Sequence, residues 1–93
     1  MPGPITLRVL TEAGLVIEDQ AVSVIAPGEL GYLGMLANHA PLVTTIQPGT
    51  LTWRTPTGQT KTARVESGLL EIAHNHLTLF TNTVSDLGSP SES

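Results

Sequence analysis

Glycine and proline punctuate this chain at short intervals, and β-branched residues fill much of what lies between. The marks fall at Gly14, Pro27-Gly28, Pro48-Gly49, Pro56-Thr57-Gly58 and Gly68, and the chain carries thirteen Thr, seven Val and five Ile. Such residues are stiff at χ1 and fit a pleated surface better than a helix. Strands of about five residues with turns every 8–12 residues describe a sandwich or a barrel. The punctuation therefore predicts an all-β domain and leaves no room for a long helix.

Segment by segment, Ile5 to Val9 alternates apolar and polar and reads as a half-buried strand. A turn follows at Thr11 to Gly14. Leu15 to Ala26 reads as one or two strands, with a bend at Glu18-Asp19-Gln20 where the apolar pattern is interrupted. Pro27-Gly28 ends that section. Three glycines between Gly28 and Gly34 argue against a helix. This stretch reads as a loop, a short strand around Tyr32 to Leu36, and a second loop at Asn38-His39. Further strands are expected at Leu42–Ile46, Thr50–Thr55, Gln59–Glu66, Leu69–Ala73 and Leu77–Thr81. Gly68 marks a bulge or a close backbone approach. From Val84 onward the chain is polar, so residues 1–84 are expected to form the domain and 85–93 an unordered tail.

Composition excludes several functions. The chain has 93 residues, one domain's worth, and 40% are hydrophobic, enough for a packed core. It has no cysteine, which removes disulfides, thiolate metal sites and thiol nucleophiles. Four basic residues against eight acidic ones argue against nucleic acid. No apolar run approaches the ~20 residues of a membrane span, and no secretory signal is visible at the N-terminus. Charged residues are only 13%, about half the usual share, which suits a surface that a partner covers.

Residue constellations offer little chemistry. Gly28, Gly31 and Gly34 have the wrong spacing for a phosphate loop, and no Gly-Lys-Ser/Thr follows. His74 and His76, with Glu71 and the distant His39, are fragments of a metal site such as a small cupin-like protein would use. Asn75 at a hairpin tip would splay the two rings, so solvated turn residues are the plainer reading. No nucleophile elbow is present. Arg54, Lys61 and Arg64 read as a solvated face, and Trp53 and Tyr32 as core or rim. On residues alone, the chain is a small acidic β domain suited to binding another protein, with the metal site as rival.

Two blocks carry a resemblance. The first runs from Gly28-Glu29-Leu30-Gly31 through His39-Ala40-Pro41-Leu42 to Pro48-Gly49. The second is Val65-Glu66-Ser67-Gly68-Leu69-Leu70-Glu71-Ile72 with Asn75 and Leu77-Thr78-Leu79-Phe80. Together they resemble the N-terminal domain of the epsilon subunit of F-type ATP synthases, from about Ile5 to Thr83. The resemblance implies a flattened sandwich of two antiparallel sheets, about ten strands, with no catalytic residue, metal or cofactor. It implies a rotor subunit of the central stalk, joining the gamma subunit to the membrane c-ring and so coupling ion flow to ATP synthesis. That places it peripherally on the cytoplasmic face of a bacterial cell membrane, with no membrane insertion, nucleic acid or small-molecule substrate.

Carried over by position, the ring-facing loop falls on Gly28, Glu29, Leu30 and Gly31. Stalk contacts fall on Tyr32, Asn38, His39, Pro41 and Thr44. Ala37 stands where the family usually has Pro, which predicts a less rigid loop. Ser67-Gly68 stands where Gly-Gly is common. The family's C-terminal helical hairpin has no counterpart before Ser93, so regulation through it is not expected.

Overall fold

A computed structural model describes residues 3–88. Ten strands are present among them and no helix: β1 (Ile5–Thr11), β2 (Gly14–Ala21), β3 (Ser23–Gly28), β4 (Gly31–Leu36), β5 (Leu42–Ile46), β6 (Gly49–Arg54), β7 (Thr60–Val65), β8 (Gly68–Ala73), β9 (His76–Thr81) and β10 (Val84–Gly88). The expected all-β, ten-stranded architecture is borne out.

The two sheets of the expectation are joined rather than separate. One hydrogen-bonded path runs β10-β7-β6-β3-β5-β8-β9-β1-β2, with β4 attached to β3. The join is β3. On the side away from β4 it pairs with β6 at Ser23 to Ile25 and with β5 at Gly28. The ladder thus passes from one layer to the other, and the sheet curls toward a barrel instead of lying flat. Extents of 34 × 32 × 26 Å show how little flattening remains. All pairings are antiparallel except β1 with β9, where Leu7 lies beside Leu77 and Val9 beside Leu79.

Period-two alternation builds the core. Ile5, Leu7 and Val9 of β1, Leu70 and Ile72 of β8, and Leu77 and Leu79 of β9 are fully buried. Val24, Met35, Leu51, Trp53, Ala63 and Val65 complete it from the other layer. Each fully buried aliphatic side chain contributes about 1.5–3 kcal/mol relative to exposure.

Three local expectations differ from the structure. β2 does not bend at Glu18-Asp19-Gln20; the break comes at Val22. Pairing with β1 runs unbroken from Ile17 to Ala21, and Asp19 is tolerated at its inward position because its carboxylate is satisfied: Trp53 Nε1 and Lys61 Nζ each donate to Oδ2 at 2.9 Å. Pro27-Gly28 does not end a strand; β3 continues through Gly28, and the reversal falls on Glu29-Leu30. The polar segment after Thr83 is ordered as far as Gly88, because β7 offers an unpaired backbone edge that β10 fills. Of the expected tail, residues 89–93 lie outside the described residues.

Gly68 is a close approach, as the sequence suggested. A Cβ there would run into the carbonyl of Phe80 on β9.

Candidate interaction surface

The residues assigned to partner contacts separate into two groups at opposite ends of β4 and β5. A six-residue strand spans roughly 20 Å, so the two groups do not form one site.

The first group is the tip of the β3–β4 hairpin. Gly28 pairs with Gly31, leaving Glu29 and Leu30 as a two-residue turn. Gly31 has φ 122°, a conformation a side chain would strain. Leu30 is 99% exposed. The turn is held against β5: Thr45 Oγ1 donates to Glu29 Oε1, and Gln47 Nε2 donates to the Glu29 carbonyl at 3.0 Å. Thr44 reaches this group, lining with Glu29, Leu30, Val43, Thr45 and Leu69 an open cavity of about 340 Å³. Tyr32 lies beside it on β4, its hydroxyl accepting from the Thr50 amide at 3.1 Å.

The second group is the β4–β5 loop with Asn38, His39 and Pro41. Its anchor is Asn75 in the β8–β9 turn. Asn75 Oδ1 accepts from the Asn38 amide at 2.6 Å, and Asn75 Nδ2 donates to Asn38 Oδ1 at 3.3 Å. Both asparagines have positive φ, 67° and 63°, which Asn tolerates better than most residues. His39 turns Nδ1 to the Ala40 carbonyl at 2.6 Å, and its amide donates to the Leu36 carbonyl at 3.1 Å. His39 is thus a hydrogen-bonded turn residue.

The metal alternative fails on placement. Among the described residues no three His, Asp or Glu side chains gather where an ion could be held. His74 and Asn75 form the turn itself, with φ 52° and 63°, so His74 and His76 diverge. His39 is turned to its own loop.

The structure adds a surface that the motifs did not single out. On the outer face, register places Thr45 beside Leu69, Leu69 beside Phe80, Phe80 beside Leu10, and Leu10 beside Leu15. Leu69, Phe80 and Leu15 are each about half exposed, at 46%, 53% and 51%. The apolar part of this row crosses four strands, β8, β9, β1 and β2, and begins with Leu69 at the cavity beside Leu30. Leu69, Phe80 and Leu10 alternate with the core residues Leu70, Leu79 and Val9, so their outward direction was legible; Leu15 faces outward through a register shift that leaves Val16 unpaired between Leu15 and the buried Ile17, and neither that nor the alignment was legible.

Around the rest of the surface, Arg8 pairs with Glu18 at 2.8 Å and Arg64 with Glu66 at 3.7 Å. Asp19 has a distinct acidity. Burial pushes its carboxyl up, but hydrogen bonds from Trp53, Lys61 and the Gln20 amide, with the Lys61 charge, outweigh burial and hold it below the usual range. It bridges β2 to β6 and β7 where β2, paired with β1 on one side, ends the sheet path, beside an open cavity of about 500 Å³.

The family model described as "ATP synthase, Delta/Epsilon chain, beta-sandwich domain" matches residues 4–86. The chain is 35% identical over 83 residues to an ATP synthase epsilon chain of Desulfitobacterium hafniense, covering 89% of this chain and 62% of the relative. It is 37% identical over 79 residues to that of Moorella thermoacetica, covering 85% and 59%. It thus spans about three-fifths of the length of these relatives. Among solved structures, a chain of the Euglena gracilis mitochondrial ATP synthase OSCP/F1/c-ring superposes with TM-score 0.82 at 17% identity, over 90% of this chain and 54% of that one. A chain of the Tetrahymena thermophila mitochondrial ATP synthase central stalk/c-ring gives TM-score 0.67 at 15% identity, over 98% and 70%. These two likenesses concern the fold.

Proposed function

This chain belongs to the ATP synthase delta/epsilon β-sandwich family, and on that premise we propose that it is a non-catalytic subunit of the central stalk. It binds the gamma subunit and touches the c-ring, so that rotation of the ring reaches the stalk. The observation that carries this reading is the continuity of the Leu30 tip with the apolar row through Leu69 and Phe80. A tip and a face joined in this way suit a chain that meets two partners at once. No helix among the described residues is long and apolar enough to cross a membrane. As a stalk subunit that touches the c-ring, the chain works at the membrane surface, on the cytoplasmic side in a bacterium.

Contact areas divide by chemistry. The apolar row offers non-directional burial, the larger source of affinity. Glu29 offers a single exposed carboxylate for a basic group on the ring. An exposed ion pair is worth only about 0–1 kcal/mol, so Glu29 sets register more than affinity.

Co-purification with a gamma subunit tests the reading. A folded chain that captures no gamma would sink it. Glu29→Lys is expected to weaken assembly on the c-ring and leave gamma capture nearly intact. Equal loss of both would place the ring contact elsewhere.

A further inference from the structure

Glu29 is the one charged side chain lining the cavity at the β3–β4 tip; the other walls are Leu30, Val43, Thr44, Thr45 and Leu69. Ion pairs among the described residues join Arg8 to Glu18, Lys61 to Asp19 and Arg64 to Glu66, and none includes Glu29. Its negative charge therefore has no cation of the described fold against it. Around it stands an apolar collar: Leu30 is 99% exposed, Val43 61% and Leu69 46%. A carboxylate ringed by uncovered aliphatic side chains is the complement of a lysine or arginine, whose apolar stem ends in a cation.

The carboxylate is also held in place. Thr45 Oγ1 donates to Glu29 Oε1, which fixes the head of the side chain and leaves Oε2 for a partner. Gln47 Nε2 donates to the Glu29 carbonyl at 3.0 Å and fixes the backbone of the turn. Exposed ion pairs are weak partly because two long side chains must be held in one geometry. Here one of the two is held before the partner arrives, so less freedom is lost on contact.

We propose that this cavity seats one basic side chain of the c-ring, its stem against Leu30, Val43 and Leu69 and its cation on Glu29, and that Thr45 is the positioning residue that presents the carboxylate. The seat rests on the ring contact proposed above for Glu29 and names the group that fills it. Leu69 belongs both to this collar and to the apolar row, so the seat is continuous with the surface proposed for gamma.

The test measures the affinity of the chain, assembled with gamma, for detergent-solubilised c-ring. Val43 and Thr45 are exposed on β5, so substitutions there leave the core intact. Glu29→Ala should lower the affinity about fivefold, the upper end for an exposed pair. Val43→Lys, which sets a like charge against the incoming cation, should lower it at least as much, whereas Val43→Glu adds a second carboxylate and should raise it. Thr45→Val, close in shape but without the hydroxyl, should lower it about threefold, the scale of one newly immobilised side chain. Thr45→Ser should restore it. In the Glu29→Ala background Thr45→Val should have no further effect. In the free chain, three-bond couplings across Glu29 χ1 should report a single rotamer, averaged in Thr45→Val. Equal losses with Val43→Glu and Val43→Lys would mean that the seat takes no cation, and overturn the proposal. So would a Thr45→Val loss that persists without the Glu29 carboxylate, or a Glu29 side chain that already averages in the wild type. A loss in Glu29→Ala with none in Thr45→Val overturns the positioning role alone. Ring affinity unchanged in Glu29→Ala would show the ring contact itself to be misplaced, and the seat falls with it.

Discussion

Asp19 shows how one residue changes the reading of a strand. Between Glu18 and Gln20 it reads as part of a polar break. In the fold its inward position is tolerable because a carboxylate that accepts three hydrogen bonds loses little on leaving water. The donors on Trp53 and Lys61 lie 34 and 42 residues along the chain, so no local pattern reveals them. The acidity follows. A carboxyl held below its ordinary value of 3.8 in the folded state stabilises the fold fully above that value. That contribution is lost as the pH falls through the lower, folded value. We expect the urea midpoint, read from the single Trp53, to drop below pH 3.8 more steeply in the wild type than in Asp19→Asn. Equal slopes would assign the acid sensitivity to other carboxylates. At neutral pH the variant should be the less stable of the two, since Lys61 and Trp53 lose an anionic acceptor.

At the level of elements, the β8–β9 hairpin is the clearest case of sequence and structure agreeing. Leu69 to Ala73 and Leu77 to Thr81 were legible from alternation, and the observed strands extend them by one residue each, to Gly68 and His76. Gly68 is required by the backbone of Phe80, which cannot yield as a flexible side chain would. Gly68→Ala should therefore cost about 3 kcal/mol, the upper end of an overpacking penalty, measured by denaturant unfolding. A loss under about 1 kcal/mol would show that the hairpin separates there without strain. β10 is the opposite case. Its side chains are mostly exposed and give no apolar signal. It is a strand because β7 supplies hydrogen-bonding partners, an environment invisible in the segment itself.

For the whole molecule, the interaction surface is a product of pairing. Leu10, Leu15, Leu69 and Phe80 are scattered through the sequence. The parallel pairing of β1 with β9 is what sets Leu10 beside Phe80. Phe80→Glu removes the centre of the row without touching the core. If the row meets gamma as proposed, this change should weaken gamma capture at least tenfold, the scale of a central interface anchor. The melting temperature should stay unchanged. Undiminished capture would move the gamma contact to another face.

Amino-acid order alone was enough for the all-β class, for most strand positions, for the close approach at Gly68 and for the family blocks. Each depends on local chemistry: χ1 stiffness, period-two alternation, turn residues and a contiguous motif. Tertiary pairing decided the rest. It made one curled sheet where two flat ones were expected, carried β2 unbroken past Asp19, ordered β10, split the motif residues between two ends, and left β4 with an open edge. These outcomes depend on which distant strand lies alongside and in which register, and that is settled by packing of the whole chain.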